Sequence, residues 1–164
     1  MTSDVPAKLF DIAHAGQAAC PVSAASPARI VVATHARFAE GICGSLEMIC
    51  GKQPNVEFVS AYLDEGVDYG ALFRDLVSSH DYAARPLVVV TDLMGGSVNN
   101  DFMQLRAEYP FLLVTGLNLP LLMELATYHG TLDETAVRSM AEESRSFVTF
   151  CGDELLSVGE DTDF

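Results

Sequence analysis

Four short apolar runs, "RIVVAT" from Arg29, "VEFVSAYL" from Val56, "PLVVVTDL" from Pro86 and "FLLVTG" from Phe111, recur along the chain with longer segments of helical period between them. Strands covered on both faces read as near-continuous apolar runs, and their alternation with helices through short links calls for right-handed crossovers and a parallel sheet. The expected class is therefore α/β, a doubly wound sheet of four parallel strands. The intervening segments carry the matching helical stripes. Tyr69, Leu72, Phe73, Leu76 and Val77 fall on one line in "DYGALFRDLVSS". Phe38, Ile42, Leu46 and Ile49 do so in the segment after the first strand, and Val98, Phe102, Leu105 and Tyr109 in the segment after "GGS". Near the end, Thr131 and Glu134 stand at capping-box spacing and predict one more helix, after which "SFVTFC" could form a last strand.

The pattern begins at Arg29. Before it, residues 1–28 are rich in Ala, Ser and Pro and hold no sustained period, so they read as an extension with one short helix around Ala7–His14. The expected organisation is that extension, one domain over 29–151 and an acidic tail over 152–164. A chain of 164 residues with 49% hydrophobic residues fits a single domain, which typically runs to about 100–150 residues. The 23 acidic against 9 basic residues give a formal charge of −14, which repels phosphate backbones and anionic membranes, so nucleic acid is not an expected partner. The four cysteines form no C-x-x-C, and Cys43 and Cys50, seven positions apart in a helix, stand about 10.5 Å apart, beyond disulfide reach. Cys20, Cys43, Cys50 and Cys151 are expected as small apolar residues. No basic-then-apolar leader and no run of membrane-spanning length is visible, so a cytoplasmic location is expected.

In open α/β sheets, chemistry sits beyond the carboxyl ends of the strands, where the strand order reverses. In the flavodoxin-like order 2-1-3-4 the first and third strands are neighbours at that reversal. The first ends in Thr34-His35; the third ends in Thr91-Asp92 and runs into "LMGGS". Topology thus brings together two side chains 57 positions apart. A neutral imidazole attacks through one nitrogen while the other keeps its proton, and a carboxylate that accepts this proton fixes the tautomer and stabilises the cationic ring formed on attack. Asp92 suits that role. The turn offers amides of Gly95, Gly96 and Ser97 and the Ser97 hydroxyl near a helix N-terminus, where anions are favoured. The constellation reads as a phosphohistidine site, although a satisfied surface histidine, a tight turn and a capping aspartate are the bland alternatives. His14, His80 and His129 read as structural, and no ligand spacing around His35 suggests a metal.

Three segments, "IVVATHARFAEGICGSLEMICG", "LVVVTDLMGGSVNN" and "LLVTGLNLPLLMELA", taken in order and at their spacing, resemble the IIA component of the mannose-type (mannose, fructose, sorbose) sugar phosphotransferase system. The resemblance runs from Arg29 to Phe150. It implies a phosphoryl carrier without cofactor or metal, which accepts a phosphoryl group from the histidine-containing phosphocarrier protein. The carrier hands that group to a IIB component, and membrane IIC and IID components are indirect partners. It also implies a homodimer in which a C-terminal strand, beginning near "SFVTFC", is exchanged and adds an antiparallel edge. By resemblance His35 matches the phosphorylated residue, Asp92 the carboxylate on its ring and Ser97 the hydroxyl near the phosphoryl group. Asn118, in the "GLNLP" loop that the resemblance sets beside the site, stands at the rim; from the residues themselves Gly95 and Gly96 read as the phosphate loop and Thr34 and Arg37 as further rim residues. The family's usual glycine after the histidine is Ala36 here, which carries strain if the backbone needs positive φ. A regulatory module signalling through its phosphorylation state is the alternative reading, and a flavin or nucleotide binder fits less well because "THARF" lacks the glycines and hydroxyls that wrap a cofactor phosphate.

Overall fold

The computed structural model describes residues 28–150. The short helix expected around Ala7–His14, Cys20, Cys151 and the tail over 152–164 lie outside the described residues. Four parallel strands, β1 (Arg29–His35), β2 (Val56–Ala61), β3 (Leu87–Thr91) and β4 (Leu112–Thr115), form one sheet in the order β2-β1-β3-β4. The doubly wound expectation is met. β1 and β3 are buried nearly throughout, as central strands covered on both faces must be, whereas the edge strand β4 is only half-buried.

Helices α1 (Phe38–Cys50), α4 (Leu119–Thr127) and α5 (Glu134–Ser144) cover one face, and α2 (Tyr69–Ser78) and α3 (Ser97–Leu105) the other. Alternation along β1 separates the two cores. Ile30 and Val32 pack with Leu46, Leu122 and Leu125, while Val31 and Ala33 pack with Phe73, Val77 and Phe102. Among the described residues, no helix is long and apolar enough to cross a membrane.

Several expectations need correction. The sheet-facing stripe of α1 is Ala39, Ile42, Cys43 and Leu46; Phe38 and Ile49 are 45% and 51% exposed. The small Ala39 and Cys43 let the helix axis approach the sheet, and the bulky residues of the neighbouring line are left outside. Burial pushes the Cys43 thiol up to about 12, in keeping with a small apolar core residue. The cap of α5 is Asp133, whose carboxylate accepts from the Ala136 amide at 2.8 Å, and not Thr131. "VEFVSAYL" leaves the sheet at Ala61 because Tyr62 adopts φ +62. Ser146 and Phe147 lie in a 3-10 turn (Arg145–Phe147) with no strand at 148–150; a strand exchanged with a second copy, as expected from "SFVTFC", is a feature of a pair of chains and not of this one.

Candidate functional site

The reversal of strand order places His35 at the end of β1 beside Asp92, the residue after β3. Asp92 is positioned by its own backbone contacts. Its Oδ2 accepts from the His35 backbone N–H at 2.8 Å and its Oδ1 from the Leu93 N–H at 2.8 Å. The same Oδ2 lies 2.9 Å from His35 Nδ1. Partial burial pushes the Asp92 pKa up, but the hydrogen bonds from the His35 amide, the His35 ring and the Leu93 amide outweigh it, and the net shift is downward. Asp92 is therefore an ionised, acceptor-only group at neutral pH, so Nδ1 carries the proton and Nε2 presents its lone pair. Ser97 Oγ stands 3.0 Å from Nε2 and donates to it.

The turn between Asp92 and α3 is shaped to let the ring in. Gly95 sits at φ +77, a conformation glycine reaches without penalty. A Cβ on Gly96 would lie 2.9 Å from His35 Cε1 and 3.2 Å from the Leu93 carbonyl, so only glycine permits this approach of loop to imidazole. Asn99 and Asn100 brace the turn from behind. Buried Asn99 accepts from the Gly95 N–H at 3.2 Å and donates to Thr91 Oγ1 at 3.1 Å, while Asn100 Nδ2 donates to the Gly95 carbonyl at 2.9 Å. Nothing in the sequence pattern marked these two amides as scaffold, since Asn at the start of a helix reads equally well as a solvated residue.

The amides expected to face an anion are reassigned by these contacts. Gly95 N–H is engaged by Asn99, and Gly96 N–H donates to the Leu93 carbonyl at 3.1 Å. What faces His35 Nε2 is the Ser97 hydroxyl at the N-terminus of α3, where first-turn amides have no intrahelical acceptor.

The expected rim residues do other work. Thr34 is fully buried rather than at a rim: its hydroxyl accepts from the Ala39 N–H at 2.7 Å and so caps α1. Arg37 is 74% exposed and pairs with Glu40 at 2.9 Å on the surface, within the first turn of α1. Asn118 caps α4, accepting from the Leu121 N–H at 2.9 Å and donating to the Ser144 carbonyl at 3.3 Å. Of the remaining histidines, His80 pairs with the Arg85 carbonyl and meets the Tyr82 ring edge-on, a structural arrangement. Ala36 does adopt positive φ, at +50, the conformation in which an L-residue is strained.

A model of the PTS system fructose IIA component family matches residues 29–142. Among solved structures, the chain is 31% identical to a protein assigned as a phosphoenolpyruvate-dependent sugar phosphotransferase system permease from Klebsiella pneumoniae subsp. pneumoniae, covering 79% of this chain and 95% of that one with a TM-score of 0.67. It is 27% identical to the mannose/sorbose-specific IIA subunit of the phosphotransferase system from Enterococcus faecalis, covering 77% of this chain and 96% of that one with a TM-score of 0.65. It is 25% identical to the IIA protein associated with the fucose utilization operon from Streptococcus pneumoniae, covering 79% and 97% with a TM-score of 0.66. With the family match spanning the whole sheet and both flanking layers, the chain belongs to the mannose- and fructose-type IIA family of the sugar phosphotransferase system.

Proposed function

We propose that this protein is a phosphoryl carrier that is phosphorylated on His35 Nε2, taking the group from the histidine-containing phosphocarrier protein and passing it to a IIB component, with membrane IIC and IID components further along the route. The observation that carries this reading is the clamp on one ring: Asp92 on Nδ1 at 2.9 Å and Ser97 on Nε2 at 3.0 Å, in a chain of the IIA family. The Nε2 lone pair bonds to phosphorus in line as the bond from phosphorus to the donor imidazole breaks, its electron pair returning to the donor ring. The Nδ1 proton stays in place, and Asp92 balances the positive charge that the ring acquires. Ser97 Oγ gives up its bond to Nε2 and becomes available to an equatorial oxygen. Positioning and fixed dipoles supply the catalysis, and both exchange partners are imidazoles.

The protein is also proposed to act as a homodimer with an exchanged C-terminal strand. The outer edge of β4 has no strand beside it among the described residues, and a groove of about 240 Å³ runs between β4 and α5, lined by Leu113, Thr115, Val137 and Arg138 among others. Such an edge supports the addition of a strand.

Incubation with phosphoenolpyruvate and the upstream carrier proteins should add the mass of one phosphoryl group to the wild type and none to His35→Ala. Equal labelling of the two would refute the assignment.

A further inference from the structure

Two non-glycine residues adopt positive φ among the described residues, Ala36 at +50 and Tyr62 at +62, and they flank the same side chain. Ala36 follows His35 at the end of β1; Tyr62 follows Ala61, the register partner of His35, at the end of β2. The two turns are tied together, since the Ala36 N–H donates to the Ala61 carbonyl at 2.8 Å. For a bulky aromatic residue this backbone region is an outlier that persists only when the surroundings enforce it, and such outliers gather at functional sites. Here the turn throws the Tyr62 ring onto the imidazole: the rings stack at a centroid distance of 5.6 Å and an interplanar angle of 28°.

Tyr62 is itself backed by the core. Its ring lies 4.9 Å from that of buried Tyr69, which leads to Phe73 at 6.2 Å and from there to Phe102 at 4.5 Å. This file of rings runs from the α2–α3 core to the site and holds the outermost member in place although it is 47% exposed. The imidazole is thereby bounded on three sides: by Asp92 and Ser97 at its nitrogens, by Gly96 at Cε1 and by Tyr62 over one face.

We infer that Tyr62 is a positioning residue for phosphoryl transfer, holding the His35 ring in the plane that aims Nε2 outward and stabilising the phosphorylated ring through its π face. This role rests on the carrier reading above. When Nε2 bonds to phosphorus and Nδ1 keeps its proton, the ring becomes a cation, and an aromatic face stacked on a cation is favourable. Ring stacking also removes rotation about the Cβ–Cγ bond before the partner arrives, so less freedom is lost in reaching the transition state.

The test compares wild type, Tyr62→Phe, Tyr62→Leu and Tyr62→Gly in the full chain, with two phosphoryl donors: the protein relay driven by phosphoenolpyruvate, and phosphoramidate, a small molecule that needs no docking surface. Glycine is tolerated at φ +62, so the last variant removes the ring without opposing the turn. Tyr62→Leu and Tyr62→Gly should slow His35 labelling about tenfold with both donors, and Tyr62→Phe should restore it to within about twofold. Carbon-13 relaxation at His35 Cδ2 and Cε1 in the unphosphorylated protein should show a rigid ring in wild type and Tyr62→Phe, and a mobile one in the other two. Wild-type rates with phosphoramidate in Tyr62→Leu and Tyr62→Gly would overturn the inference, a defect confined to the protein donor assigning Tyr62 to docking instead. Failure of wild type to label on His35 with either donor would instead reject the carrier reading, and the relaxation data would still decide whether Tyr62 holds the ring.

Discussion

A single carboxylate does two jobs at the end of β3: Asp92 Oδ2 accepts from both the backbone N–H and the ring of His35. Asparagine in its place can turn an N–H toward Nδ1 and favour the tautomer with the proton on Nε2, the atom proposed to bond to phosphorus. Asp92→Asn should slow labelling of His35 roughly 10- to 100-fold, the range expected for a lost hydrogen bond to a charged group of about 1.5–3 kcal/mol. The same residue carries a pH signature. Its folded pKa lies below the ordinary aspartate value of about 3.9, so its stabilisation is fully present above that value and is lost as pH falls through the folded pKa. Wild type should therefore be more stable than Asp92→Asn at pH 7, and denaturant melts should show the difference shrinking below about pH 4. A constant gap down to pH 2 would contradict the ionic role. His35, Asp92 and Ser97 were legible because strand ends at a reversal of order are places where generic topology assembles polar groups. Tyr62 was not, because an aromatic residue closing an apolar run reads as one more strand residue until its φ is known.

Element boundaries depended on local chemistry that periodicity does not resolve. α1 is apolar nearly all round, with Phe38, Ala39, Ile42, Cys43, Leu46, Met48 and Ile49 in 13 residues, so two adjacent stripes fit its period equally well. The sheet takes the stripe with the smaller side chains. At α5 both Thr131 and Asp133 are competent caps by residue type, and the chain uses the one adjacent to the first helical residue. Asp133→Ala should cost about 1 kcal/mol in urea melts, whereas Thr131→Ala should cost well under half of that. The reverse order would place the helix start earlier than the structure has it. β2 shows the same limit from the other side. Its apolar run extends to Leu63, but the ladder stops at Ala61, since a residue at φ +62 turns the chain out of the sheet.

At the scale of the molecule, residues 28–150, which form one sheet between two layers of helices, hold 16 acidic and 8 basic residues, a formal charge of −8 within the chain's −14. Like charges repel more in the folded state than in the expanded chain, and salt screens that repulsion. The Tm should rise between about 10 and about 150 mM NaCl, as the screening length falls from about 30 to about 8 Å; a flat or falling Tm over that range would show that the ion pairs matter more than the net field. The amino-acid sequence by itself determined the α/β class and the four parallel strands, and, with the flavodoxin-like order taken, the meeting of His35 with Asp92, because periodicity and crossover handedness act through local pattern and apply to any chain that carries it. Tertiary structure alone decided which stripe of α1 faces the sheet, that the amides of Asn99 and Asn100 brace the glycine turn, and that Tyr62 lies over the imidazole. Those outcomes rest on side-chain volume and on backbone torsions at single residues, quantities that acquire a value only when distant segments are packed against one another.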